Sequence, residues 1–474
     1  MLQNWLILAP EFSLLAYLPT AFLINHFREE KTAKTFFTVS KFFLLFSLLM
    51  TIVFYNQSPF LPWLQNSTYS TLFKTLVYLV SLAWFYLSSK WFLNKNRSSY
   101  KFYSLAVWIL FLISFLISAR HLFVLSVIFP LSCLAVRSLI LLHWDEEKVS
   151  KLANLYSCCA TLFCLLLWCG TGFLYYSCGS VDYATIQEVL SSANRVGIYE
   201  LLGVCFVLSS ILFMMAVAPF HSWFVGVLSS ATLPVCGFLT LTLPIAWFFG
   251  LITLSAKSFL GLAPLLHNIL LCFAIVSLFI GAFSANGQKN IRSLFSFVSI
   301  YNTGFLLFGF ISFNNDSIMG VFSYELIYVL AMLGVYTVFL GLKSKSEYLS
   351  DIDKISGLSN IKPYISAAFL VFMFSLIGMP PMLGFLGRLA VANTLVLEEQ
   401  WIELGILLTS ILFMANAFLN VVRTIYFEPL KNSFDRTDKA IYISLFINLI
   451  LVIISILNPS YVLLGAETIL KGVF

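Results

Sequence analysis

The chain consists of long apolar runs separated by short polar interruptions, and the length of the runs decides what they are. Runs of about 18–25 residues at 1.5 Å per residue match a hydrocarbon layer about 30 Å thick, whereas barrel strands need only about 10 residues of alternating polarity. The pattern predicts helical spans near 5–26, 36–55, 73–93, 101–118, 121–142, 152–177, 198–219, 230–253, 259–285, 293–313, 317–342, 364–396, 403–427 and 440–464. The expected fold class is an all-α polytopic membrane protein with about 14 transmembrane helices.

Two runs are interrupted in a way that lipid does not tolerate. "FSLIGMPPMLGFLGRLAV" (374–391) places Pro380, Pro381, three glycines and Arg388 inside span 12, and "LFMMAVAPFHSWFVGVLSSATLPVCGF" (212–238) places Pro219 and His221 in span 7. Each proline removes a backbone donor and clashes with the carbonyl four residues back. Such breaks survive at membrane depth only where protein or a hydrated cavity receives the freed groups. Two breaks five spans apart predict a repeat, with spans 4–8 and 9–13 as five-helix units; an odd number of spans per unit inverts the second relative to the first. The chain then divides into an N-terminal three-helix segment (1–100), a first repeat (101–258), an inverted second repeat (259–428) and a C-terminal helix (429–474). Inverted repeats with discontinuous helices place ion sites near the midplane.

Composition agrees: 60% of the residues are hydrophobic, 10% are charged, and the mean hydropathy is +0.94. The net charge of +6 does not form a nucleic-acid face, because the cations collect in alternate loops. They are Arg28, Lys31 and Lys34; Lys95 and Arg97; Lys148 and Lys151; Lys289 and Arg292; Lys343, Lys345, Lys354 and Lys362; and Lys431, Arg436 and Lys439. Loops 56–72 and 178–194 are cation-poor, so the positive-inside rule puts both termini on the outer side. The first run has no basic leader and no small-residue cleavage site and reads as a retained span, with Glu11 near the outer interface. The nine cysteines fall almost wholly within spans and show no metal-ligand spacing, and no nucleotide loop or soluble catalytic motif is present. Polar stretch 343–363 is expected to cap the interior face.

The stretches "APFHSW", "IRSLFSFVSIYNTGFLLFGF", "YELIYVLAMLGVYTVF" and "SLIGMPPMLGFLGR" resemble, in order and spacing, the proton-conducting subunits of respiratory complex I, which are similar to cation/proton antiporter subunits. Fourteen spans without a long C-terminal extension look most like the subunit 2 or N type. The resemblance runs from about residue 90 to the end and is strongest at 212–238 and 290–392. It implies a membrane-arm subunit of NADH:quinone oxidoreductase associated with proton translocation. NADH, FMN, iron–sulfur clusters and quinone would sit in partner subunits, and none in this chain. The implied partners are other membrane-arm subunits, including neighbouring antiporter-like ones, and the lipid bilayer; the implied location is a bacterial cytoplasmic or mitochondrial inner membrane.

In that family a midplane row of protonatable groups carries protons, and this chain departs from it. The span 5 glutamate falls on Phe129 and the span 6 lysine on Asn154 or Leu155, with Lys151 nearer the loop; the lysines of spans 7 and 8 fall on Met214 and Pro244. The span 12 lysine falls on Arg388, whose guanidinium is never emptied of its proton and so acts as a fixed charge. The remaining polar candidates are Glu325, His221 and Arg137. Glu325 is expected to be linked to Arg388, directly or through water, since an unpaired intramembrane charge is expensive. His221 either bonds carbonyls freed at the break or transfers protons, and Arg137 either snorkels or serves the path. His267 reads as interfacial, Arg292 matches a family basic residue, and Asn302 stands where the family often has histidine. The 49 phenylalanines read as lipid-facing filler. Two alternatives remain beside the complex I reading: a structural subunit of the same complex that does not pump, and a subunit of a multisubunit cation/proton antiporter.

Overall fold

The structure, a computed structural model, describes residues 7–27, 33–55, 63–95, 99–143, 147–192, 197–345 and 347–457. The ends of the first and last expected spans, and the expected loop cations Arg28, Lys31 and Arg97, lie outside these residues. The helices are α1 (Ala9–Phe27), α2 (Ala33–Val53), α3 (Thr68–Lys95), α4 (Tyr100–Ser118), α5 (Leu122–Ile140), α6 (Glu147–Cys178), α7 (Tyr183–Ser192), α8 (Ile198–Met214) and α9 (Ser222–Ser230). They continue as α10 (Leu233–Lys257), α11 (Ala263–Asn286), α12 (Ile291–Phe310), α13 (Asn315–Gly341), α14 (Leu358–Ile361), α15 (Pro363–Ile377), α16 (Leu383–Leu397), α17 (Trp401–Phe427) and α18 (Lys439–Leu457).

Each expected apolar run carries a helix or a pair of half-helices. Among the described residues, ten helices are long and apolar enough to cross a bilayer, while α8, α15, α16 and the described part of α18 are shorter. Span 7, expected to end at 219, instead resumes as α9 after its break. Helix α7 was not legible as a span because it buries only one stripe, Tyr183, Ile186 and Leu190, at helical spacing.

Two compact units are present. The first holds residues up to 215 and 230–266, and the second holds 216–229 and, among the described residues, 267–457. In the first unit α10 is buried on every side apart from its last residue, the condition under which a helix is apolar all round. It meets α3 closely: Trp84 donates its indole N–H to the Pro234 carbonyl at 2.9 Å, and a Cβ added to Gly237 would come within 2.1 Å of the Trp84 ring. Aromatic rings fill this interior, with Phe249 within 4.6–4.7 Å of Phe73 and Tyr69 and Phe85 5.1 Å from Tyr103. The expectation that phenylalanines mainly face lipid is therefore corrected: Phe36, Phe73, Phe102, Phe129, Phe238 and many others are core residues. Offset and edge-on aromatic pairs add about 0.5–1.5 kcal/mol beyond their area, which explains their use inside.

The loops sort by face within each unit. In the second, the segments before α12, between α13 and α15, and before α18 are knitted together: Ile291 N–H donates to the Ser350 carbonyl, and Ile352 N–H to the Lys289 carbonyl, both at 2.8 Å. Lys362 donates to the Asp435 carbonyl at 2.5 Å and to Thr437 Oγ1 at 2.6 Å. The polar stretch 343–363 forms a small antiparallel pair, β1 (Lys343–Ser344) with β2 (Glu347–Tyr348), and short helical turns. In the first unit the cation-poor loops meet instead: Leu64 bridges Ala119, and His121 bridges Asp182.

Gly237→Ala is expected to destabilise the protein by about 1–3 kcal/mol, because an extra methyl overpacks the Trp84 contact. Thermal unfolding in detergent checks this, and the added change Trp84→Leu should recover part of the loss; an additive pair would mean the two residues do not limit each other.

Candidate proton-path site

Both breaks are built on one plan. In the first, Ala216 takes φ 56° three residues before the cis Ala218–Pro219 bond places Pro219; in the second, Gly378 takes φ 77° three residues before Pro381 of the cis Pro380–Pro381 bond. The freed backbone groups are received by side chains. Ala218 N–H donates to Ser277 Oγ of α11 at 2.9 Å. At the second break, Gly378 N–H caps α15 on the Phe374 and Ser375 carbonyls, and Arg388 of α16 donates to the Leu376 carbonyl at 2.5 Å.

Arg388 is 6% exposed. Its guanidinium carbon lies 5.6 Å from the Tyr301 ring centre and 5.4 Å from that of Phe305, both on α12, at cation–π distance. A cation against the carbonyl end of a half-helix also meets the negative end of the helix dipole. Gly378 is required twice over, by its left-handed φ and because a Cβ there would stand 2.5 Å from Arg388 Cδ. Gly384 lets the halves close, since its Cβ would lie 1.7 Å from the Ser375 carbonyl oxygen.

Glu325 of α13 is 3% exposed and accepts from Asn302 Nδ2 of α12 at 3.0 Å. Of the two expected forms of the link between Glu325 and Arg388, direct or through water, the direct one is absent: no ion pair joins them, and each has its own neutral partner. Asn302, read as a lost titratable group, is the donor that holds the carboxyl. A cavity of about 550 Å3 between α13 and α16 runs past Asp316, Ser323, Asn393 and Thr394, and neither Arg388 nor Glu325 lines it.

The other sequence candidates are dispersed. His221 is half-buried at the first break, its ring toward the Pro219 carbonyl and its Nδ1 without a partner. Arg137 donates through Nε to Ser157 Oγ of α6 at 2.6 Å and lines a separate cavity of about 240 Å3 with Cys133, Tyr156 and Cys164. His267 Nδ1 lies 3.1 Å from the Ile311 carbonyl. At the family's relay positions, Phe129 packs edge-on against Trp247 at 5.5 Å, Met214 accepts from Cys133 Sγ at 3.8 Å, and Pro244 is buried inside α10. Asn154 and Leu155 both face outward on α6, so the side chain directed inward there is Tyr156. Lys151 is 75% exposed and pairs with Glu147 at 2.7 Å.

One buried ion pair escaped the sequence reading. Lys74 of α3 donates to Glu11 Oε1 of α1 at 2.6 Å and to Asn66 Oδ1 at 2.9 Å, and each of the charged side chains is 1% exposed. The available signal is a lysine at the very start of an apolar run, and Glu11 reads from sequence as interfacial.

Two discontinuous helices, one of them closed by a buried arginine, are the architecture of polytopic membrane proteins of the ion-transporter type. Residues 119–414 match the family described as NADH:quinone oxidoreductase/Mrp antiporter, transmembrane, and the chain belongs to that family. It is similar to the NADH-quinone oxidoreductase subunit N of Rhodospirillum rubrum, 27% identical over 398 residues that cover 83% of this chain and 81% of that protein. Its fold is shared with a chain of respiratory complex I from Thermus thermophilus, with a TM-score of 0.80 at 21% identity over 96% of this chain and 98% of the other. It is also shared with a chain of the Mrp complex from a Dietzia species, with a TM-score of 0.85 at 15% identity over 98% and 97%.

Asn302→Leu is expected to destabilise by about 1–3 kcal/mol, because it strands the Glu325 carboxyl without a donor. The double change Asn302→Leu with Glu325→Leu should lie closer to wild type than the single one. Thermal unfolding of the purified protein in detergent decides; a double variant at the sum of the two losses would mean that the hydrogen bond carries no coupling.

Proposed function

We propose that the chain is an antiporter-like membrane-arm subunit of an NADH:quinone oxidoreductase, of the subunit N type, in an energy-transducing membrane, and that it does not run the family's midplane proton relay. The observation that carries this reading is the placement of Arg388. A relay station must gain and lose a proton near neutral pH. Arg388 stands at the relay position with a guanidinium that stays charged and spends a donor on the Leu376 carbonyl. It is a fixed charge that closes the break. Phe129, Met214 and Pro244 are buried and cannot titrate, so the row is interrupted in spans 5, 7 and 8 as well.

The partners are the other membrane-arm subunits; NADH, FMN, iron–sulfur clusters and quinone belong to neighbouring chains of the assembly. The relatives named subunit N support this assignment over a cation/proton antiporter, to which the fold is also close. Co-purification in mild detergent tests it: a flavin and iron–sulfur arm is the expected companion, and its absence beside other antiporter subunits would overturn the assignment.

Both termini lie on the outer side. Asp353→Cys and Ser191→Cys should be labelled from opposite faces of sealed vesicles, Ser191→Cys from outside. Labelling of both from one face would sink the topology.

Arg388→Met leaves the Leu376 carbonyl unpaired at a cost of about 1–3 kcal/mol. It is expected to lower assembly more than it lowers protons moved per NADH in the complex that does assemble, measured in proteoliposomes. Normal assembly with fewer protons per NADH would make Arg388 part of a live path.

A further inference from the structure

The first four helices keep buried polar groups of the kind that the relay positions have lost, at several depths. The Glu11–Lys74 pair lies directly beneath the loop that precedes α3, since Asn66 of that loop accepts from both Lys74 at 2.9 Å and Ser118 Oγ at 3.1 Å. That loop is sewn to the end of α4 by Gln65 N–H donating to the Ser118 carbonyl at 2.8 Å. One turn deeper, Tyr78 of α3 faces Ser114 of α4. Deeper again, Tyr17 of α1 faces Ser104 of α4. From Ser118 to Ser104 these groups cover about 21 Å at 1.5 Å per residue. On the flank of Glu11, Ser13 and Ser47 share a hydrogen bond at 2.5 Å and Ser47 donates to the Pro10 carbonyl at 3.1 Å.

These groups are not all satisfied. Glu11 Oε2 is a buried atom without a hydrogen-bond partner among the described residues, and the Tyr78 and Tyr17 hydroxyls lie beside Ser114 and Ser104 without reaching hydrogen-bond geometry. Glu11, Tyr78 and Tyr17 are 0–1% exposed. Leaving each such atom dry costs about 1–3 kcal/mol, more for a carboxylate. Glu11 Oε2 and the nearby Tyr78 hydroxyl, beside Lys74 and Asn66, supply the two to four polar contacts that a buried water needs. Lys74 accounts for the charge of Glu11 but not for its second oxygen.

We propose that α1–α4 enclose a hydrated, protonatable site opening on the face where α1 begins, in which Glu11 takes up and releases a proton beside the fixed cation Lys74. In the step itself a hydronium gives its proton to Glu11 Oε2, leaving water and a carboxylic acid, and release is the reverse. Lys74 stays an ammonium throughout, held by Glu11 Oε1 and by Asn66. The titratable groups that face Glu11 are Lys74 and Tyr78 from α3; α4 brings the hydroxyls of Ser114 and Ser118, and α2 brings Ser47. The site's role in energy coupling rests on the function proposed above, but its hydration and its protonation do not.

Two measurements on the full complex in sealed vesicles test the site without NADH turnover, so a chain serving a cation antiporter would give the same answer. The first is labelling of Ser114→Cys by a permanently charged methanethiosulfonate, mapped by mass spectrometry. It should be at least about tenfold faster than labelling of Ile113→Cys, whose position is 1% exposed and apolar, and should occur only from the face where α1 begins. Equal rates, or access from the other face, overturn the hydrated opening. The second is addition of a hydrophobic carbodiimide, which reacts with protonated carboxyls to leave an acylurea on the acid. Modification at Glu11 should rise on acidification and should increase in Lys74→Met, which lacks the ammonium bound to Glu11 Oε1. Modification of other carboxyls with none at Glu11, or a yield at Glu11 indifferent to pH and to Lys74, overturns the protonatable site. Where Lys74→Met does not assemble, the pH dependence in the wild-type complex decides alone.

Discussion

Everything distinctive in this structure follows from one constraint: a backbone carbonyl freed inside a bilayer must be given a donor. At the second break the donor is Arg388, and the requirement fixes its surroundings. The guanidinium must reach back from α16 to the Leu376 carbonyl, so the chain between the half-helices must leave its path clear, and Gly378 does so. Its remaining face must be covered by something that tolerates a cation without competing for its hydrogens, and the Tyr301 and Phe305 rings meet that need. The half-helices must also approach closely, which Gly384 permits against Ser375. At the first break the amide of Ala218 goes to Ser277, a neutral acceptor. The two breaks share a backbone plan but satisfy opposite groups, a carbonyl in one and an N–H in the other.

An arginine satisfies this constraint better than the lysine that the family resemblance places there. A lysine that cycles its proton is a donor only while charged, so the carbonyl would be alternately bonded and stranded. A guanidinium donates at all times and spreads its charge over a plane that stacks on aromatic rings. The exchange gains a closed break and loses a titratable station. Met214 and Pro244 fit the same trend, since with no charge to be hydrated in this row, tight apolar packing such as Phe129 on Trp247 becomes the better use of the space.

The breaks were legible in the sequence because prolines and glycines inside a run of spanning length have no other reading in lipid. The alternation of loop charge was legible for the same reason, and the loops that meet across each unit are the ones that it groups together. Pairing was not legible. Glu325 and Arg388 looked like partners because each seemed to need one, yet a carboxyl can be held by an amide and a guanidinium by a carbonyl, and hydropathy cannot distinguish these from an ion pair. Lys74 was missed because its partners, Glu11 and Asn66, are remote or outside the span, so nothing in its own run announces them. The packing of phenylalanine was also hidden, because in a membrane protein a lipid-facing and a core phenylalanine have the same sequence signature.

The distribution of buried polarity separates two ways of holding charge in a low dielectric. Glu325 and Arg388 each have one direct protein partner, while Arg388 Nη1 and Asn302 Oδ1 are buried without one. Around Glu11 the charge is held differently: an ion pair at 2.6 Å sits beside a carboxylate oxygen with no protein partner. An ion pair alone would be a poor stabiliser there, because desolvating both charges offsets most of their attraction. Its persistence beside unfilled hydrogen-bonding capacity is understandable if water completes the shell, and water is what a charge needs in order to change its protonation. The fixed charge closes a broken helix, and the charge that retains room to change lies in α1–α4.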